Sequence, residues 1–133
     1  MKRYKILIVL LSLILITSCY DRDILDNKDG VTMPKVEDLS LSVENDKLIV
    51  SWKYPQEVPL EVKEPLSVHI SIFENGINKR YSVENDETIF IYSDYNKDAD
   101  YRVVVKLSSE LLNPEYGQSS LLYSEGVFQN LVK

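Results

Sequence analysis

Cysteine, histidine and tryptophan each occur once in this chain, and glycine occurs only four times in 133 residues. Each shortage removes a class of chemistry. The lone thiol, Cys19, cannot close an intramolecular disulfide, and nothing else carries metal-ligand or redox spacing. The single histidine, His69, falls mid-strand in an alternating pattern, so neither a Ser-His-Asp nor a Cys-His arrangement has sequence support. No serine lies in a nucleophile-elbow setting. Asp and Glu are plentiful, but one small domain leaves little room for the desolvated cleft that separates the pKa values of a glycosidase carboxylate pair. The expectation is a protein that is not an enzyme and needs neither cofactor nor metal.

Long apolar runs are also scarce. The main one, Ile6 to Ile16, is interrupted only by Ser12 and spans 11 residues, whereas a helix needs about 20 to cross a hydrocarbon core. It fits the apolar region of a secretory signal peptide, with Lys2, Arg3 and Lys5 as the basic region before it. Ile16-Thr17-Ser18-Cys19 then resembles the lipobox of bacterial lipoproteins, in which an apolar residue and two small ones precede the modified cysteine. That resemblance implies a leader over residues 1–18, lipid attachment at Cys19, and anchoring by acyl chains that each bury CH₂ groups worth about 0.8 kcal/mol apiece. Residues 19–33, with Asp21, Asp23, Asp26 and Asp29, read as the lipidated Cys and a flexible acidic tether. Acidic residues directly after Cys19 resemble the export signal of surface lipoproteins in glycan-foraging Gram-negative bacteria, although Arg22 interrupts the run. The implied location is the outer membrane, with cell-surface and periplasm-facing orientations both open.

The full chain carries −6, and loss of the three leader cations leaves −9. Such an acidic chain repels nucleic acid and anionic lipid headgroups, so neither is expected as a ligand. The membrane enters through Cys19 alone.

From Pro34 to the C-terminus the pattern is that of strands. Leu39, Leu41 and Val43 alternate with polar residues, as do Leu48, Val50 and Trp52, with Asn45-Asp46 as turn chemistry between them. Val68, Ile70 and Ile72 alternate with His69 and Ser71, and Asn75-Gly76 predicts a tight hairpin into Lys79 to Val83. Thr88 to Tyr92 is apolar on both faces and reads as a central strand. Tyr101, Val103, Val105 and Leu107 form a further strand, and Leu121 to Phe128 a last one interrupted by Gly126. Seven strands at short spacing without a helical period predict an antiparallel β-sandwich over residues 34–133.

These residues resemble the fibronectin type III family. Pro34-Lys35-Val36, followed by Leu48-Ile49-Val50-Ser51-Trp52 and Pro55, is similar to its first two strands. Asp94 to Tyr101, leading into Arg102-Val103-Val104-Val105, is similar to its corner before an alternating strand, and Gly117-Gln118-Ser119-Ser120 to its turn before the last strand. The resemblance spans Pro34 to Phe128 and implies an immunoglobulin-like sandwich in which the Tyr101 hydroxyl ties the corner to upstream backbone. Tyr95, Lys97 and two Asp residues depart from the family's corner pattern of Leu, Pro and Gly. On function the resemblance is silent, because this fold hosts many roles.

Trp52 shares a face with Leu48 and Val50 and is assigned, with Tyr101, to structure. Nine tyrosines are an excess. Tyr54, Tyr81, Tyr95, Tyr116 and Tyr123 fall at predicted strand ends, loops or edges, where an amphipathic ring can meet a sugar or a protein. The oxygen-bearing side chains of Asp94 to Asp100 alternate as calcium ligands do, but Ala99 and Val105 stand where an EF-hand places Gly and a bidentate Glu. Two readings follow. One is a non-catalytic protein interaction or assembly module at the envelope, its partner taken up at an edge strand such as Lys79–Val83 or Leu121–Phe128. The other is an accessory glycan-binding surface lipoprotein.

Overall fold

The computed structural model describes residues 30–83 and 86–133. The leader, Cys19 and the tether as far as Asp29 lie outside the described residues. Among the described residues eight strands follow in chain order: β1 (Glu37–Glu44), β2 (Lys47–Lys53), β3 (Ser67–Glu74), β4 (Ile77–Val83), β5 (Ile89–Tyr92), β6 (Tyr101–Glu110), β7 (Leu121–Tyr123) and β8 (Val127–Asn130). They form two antiparallel sheets, one ordered β1-β2-β5 and the other β4-β3-β6-β7, with β8 also paired to β6. No helix occurs among the described residues.

Period-2 alternation builds the core. Leu48, Val50 and Trp52 from β2 meet Val68, Ile70 and Ile72 from β3 and Val103, Val105 and Leu107 from β6 in one buried cluster. Both sheets therefore turn one face onto a shared interior, a sandwich-like arrangement. Two tight hairpins set the register. Asn75 and Gly76 both have positive φ, at 49° and 83°, and join β3 to β4 with two residues. Asn45 and Asp46, at 50° and 58°, do the same for β1 and β2. Paired positive φ values are the hairpin geometry that matches strand twist.

Three features differ from the sequence expectation. The tether expected through residue 33 ends sooner, because Val31 and Met33 alternate with exposed Thr32 and seat against the core, Met33 being buried. β5 is an edge strand rather than a central one: among the described residues it pairs only with β2, and its second apolar face, Ile89 and Ile91, is more than half exposed. The last predicted strand is split. β7 pairs through Tyr123 with Ser108 and β8 through Val127 with Val105, so one extra residue is accommodated between them as a bulge.

Ser124 makes that bulge tolerable. Its buried hydroxyl accepts the Leu107 N–H at 2.8 Å, while its own N–H donates to the Leu107 carbonyl at 2.9 Å. A side-chain oxygen thus stands in for a ladder carbonyl. Ser124→Ala strands the Leu107 N–H and should cost roughly 1–3 kcal/mol, read as a lower midpoint in chemical denaturation with an unchanged slope.

Candidate functional site

The five singled-out tyrosines do not come together. Tyr54 is half-buried against the core, and burial pushes its phenol above the usual range. Tyr81 points inward from β4 onto Phe90, with ring centroids 4.9 Å apart. Tyr95 packs on Tyr101 at 5.2 Å. Tyr116 is fully exposed in the loop before β7, and Tyr123 is exposed on β7 beside His69 at 5.7 Å. Three rings are thus committed to packing, and no aromatic platform is built from the set.

Trp52 is 3 % exposed and belongs to the core. Tyr101 is equally buried, and its hydroxyl accepts the Asn96 N–H at 2.8 Å while donating to Glu74 Oε1 at 3.0 Å. Glu74 is the centre of a larger network. Lys79 Nζ donates to Glu74 Oε2 at 2.6 Å and to the Tyr92 hydroxyl, which itself donates to Glu74 Oε2 at 3.2 Å. Tyr92 comes from the first sheet and the other members from the second, so the network ties the sheets at one end of the core. Hydrogen bonds from Lys79 and then Tyr101 hold the Glu74 carboxyl below its usual value, and the bond to Glu74 raises the Lys79 ammonium. Burial raises both phenols. With every member engaged by another, the cluster is a structural tie.

His69 lies between two serines. Its Nε2 is 2.6 Å from Ser108 Oγ and its Nδ1 3.2 Å from Ser82 Oγ. A hydroxyl thus occupies the position where a catalytic histidine has its orienting carboxylate, and Ser108 is buried. The arrangement fixes the ring on the sheet surface.

Two solvent-facing surfaces remain. On the first sheet, Ile91 pairs with Ile49 and Ile89 with Ser51, so exposed Ile89 and Ile91 with half-buried Ile49 of β2 form an apolar strip beside the β5 edge, which is unpaired among the described residues. On the second sheet, the register places Arg80 of β4, His69, Ser71 and Phe73 of β3, Arg102, Val104 and Lys106 of β6 and Phe128 of β8 on one outer face. Sequence reading passed over these cations because charged residues alternating with apolar ones normally mark only a solvated face.

The surfaces define the class: a small antiparallel two-sheet domain whose chemistry is exposed on sheet faces and edges. The chain belongs to the family described as Domain of unknown function (DUF4945), whose sequence model matches residues 19–130. No curated protein and no solved structure matches it.

Proposed function

We propose that the chain is a membrane-anchored lipoprotein of the outer membrane whose domain is a non-catalytic protein interaction or assembly module. The observation that carries this is the β5 edge, unpaired among the described residues, with its exposed Ile89 and Ile91 beside half-buried Ile49, which combines unpaired backbone groups with apolar side chains. A neighbouring envelope protein docking there would cover both. Lipid attachment is assigned to Cys19 on the leader pattern.

We assign the fold to the immunoglobulin-like, fibronectin type III class, with β7 and β8 as two halves of its seventh strand. The β1-β2-β5 and β4-β3-β6-β7 sheet orders and the Tyr101 hydroxyl bound to Asn96 backbone support that assignment. A second reading, an accessory glycan-binding surface lipoprotein, is favoured by a different surface, the outer face of the second sheet.

The docking reading is tested by photo-crosslinking in intact source cells from a photoreactive residue at position 91, with position 80 as control. A discrete protein adduct formed only from position 91 and lost on Ile89→Glu is the expected result. Absence of an adduct, or the same adduct from both positions, overturns it.

A further inference from the structure

We propose that the outer face of the β4-β3-β6-β8 sheet, together with the cleft at its Arg102 end, binds an acidic polysaccharide whose uronate carboxylates are taken by Arg102, Arg80 and Lys106. This deepens the glycan reading and is independent of protein docking at β5.

Strand register fixes three rows across the face. Ser82, His69 and Lys106 form one, Arg80, Ser71, Val104 and Phe128 the next, and Asn78, Phe73, Arg102 and Asn130 the last. Every charged side chain in these rows is a cation, in a chain whose overall balance is −6. Among the described residues Arg80, Arg102 and Lys106 join no salt bridge, whereas Lys53, Lys63, Lys79 and Lys133 all do. Four strands spaced by about 4.8 Å make the face roughly 15 Å wide, the reach of a short oligosaccharide. Serine hydroxyls and asparagine amides lie between the cations and offer partners to sugar hydroxyls.

Arg102 is the best organised of these groups. Its guanidinium carbon sits 4.3 Å from the centroid of the half-exposed Phe128 ring. Contact with the ring restrains the guanidinium, and with no salt-bridge partner among the described residues its donor fork is available to grip a carboxylate with two bonds. Beside it opens a cleft of about 450 Å³ lined by Phe73, Asp100, Tyr101, Arg102, Asn130 and Leu131 among others, within the range of small-ligand sites. Phe73 and Leu131 suit the C–H face of a sugar ring, and the Asn130 amide suits its hydroxyls. Asp100 in the same cleft has Lys133 Nζ 3.4 Å away, so its carboxylate is paired with a cation other than Arg102.

The combination selects a polymer bearing both hydroxyls and carboxylates. The acidic remainder of the chain opposes every polyanion, so selection rests on the local cation rows and on the serine and asparagine groups between them, which favour a polymer whose charges are interleaved with hydroxyls. One charge per sugar, offered with many hydroxyls, matches the interleaved rows.

Native affinity electrophoresis of the full chain in gels containing polygalacturonate, neutral galactan or poly-L-glutamate tests this. Polygalacturonate should retard the chain, with the effect weakening as salt is raised. Arg102→Ala should weaken binding about tenfold, the loss of one charge-assisted contact, and Arg102→Lys should restore it only in part because the fork is lost. Ile91→Ser should bind as the parent does, separating this face from the docking strip. No retardation by polygalacturonate, equal retardation by neutral galactan, or equal retardation by poly-L-glutamate each overturns the proposal. Because Arg102 is exposed, an unchanged thermal transition for Arg102→Ala is expected, and a large drop would assign the residue to folding instead.

Discussion

Replacing Trp52 with alanine should remove about 3–5 kcal/mol of stability, the cost of emptying a large aromatic site in a packed core. The residue is 3 % exposed and lies in the β2 row with Leu48 and Val50, which are fully buried. Domains of this size are held by only about 5–15 kcal/mol, so the variant sits near the edge of folding. Trp52→Phe separates volume from polarity. The Trp52 indole N–H is buried and has the Tyr54 hydroxyl near it, but the two form no well-aligned hydrogen bond, so phenylalanine keeps most of the apolar area and deletes a poorly satisfied donor. Its loss should stay below about 1.5 kcal/mol. Far-UV circular dichroism under denaturant is the measurement, since removing the only tryptophan also removes the fluorescence probe. A Trp52→Ala loss below about 1 kcal/mol would mean that the indole is not a core element.

How much of this molecule is legible in its sequence follows from which physical signals are local. Alternation over three or four side chains assigned the inward residues of β2, β3 and β6 correctly, because burial selects one face per strand. Asn75-Gly76 is equally local, since two successive positive φ values are cheap for that pair. The β5 error has the converse cause. An apolar residue at every position says that both faces tolerate burial, but not whether a second strand is present to cover the outer one. The candidate surfaces are less legible still. Arg80 and Arg102 become neighbours on one face only because β4 and β6 both pair with β3, a long-range choice that strand periodicity does not encode. The tyrosine excess, the most visible compositional cue, turned out to be spent largely on packing between the sheets.

The largest electrostatic effect should come from the Glu74 network. Tyr101→Phe leaves the Asn96 N–H without its acceptor and Glu74 without one donor, and should cost roughly 2–3 kcal/mol. Glu74→Gln keeps the shape but removes the charge that Lys79, Tyr92 and Tyr101 all address. The two substitutions act on one network, so the double variant should lose less than the sum of the singles. The pH dependence has a fixed sign. Folding lowers the Glu74 pKa from about 4.5, so its contribution is present above that value and fades as pH falls through the folded one. Folding raises the Lys79 pKa from 10.5 and those of Tyr92 and Tyr101 from 10.0. Those contributions are complete below about pH 10 and fade as pH rises further. The parent protein should therefore hold a stability plateau through neutral pH that declines on both sides. Glu74→Gln should lower the plateau and flatten the acid limb. It should also flatten the alkaline limb in part, because Lys79 loses the partner that raised it and Glu74 no longer opposes ionisation of the two phenols. Urea midpoints measured from pH 3 to pH 11 give both limbs, and an acid limb unchanged in Glu74→Gln would show that other carboxylates, not this sheet-to-sheet tie, govern acid unfolding.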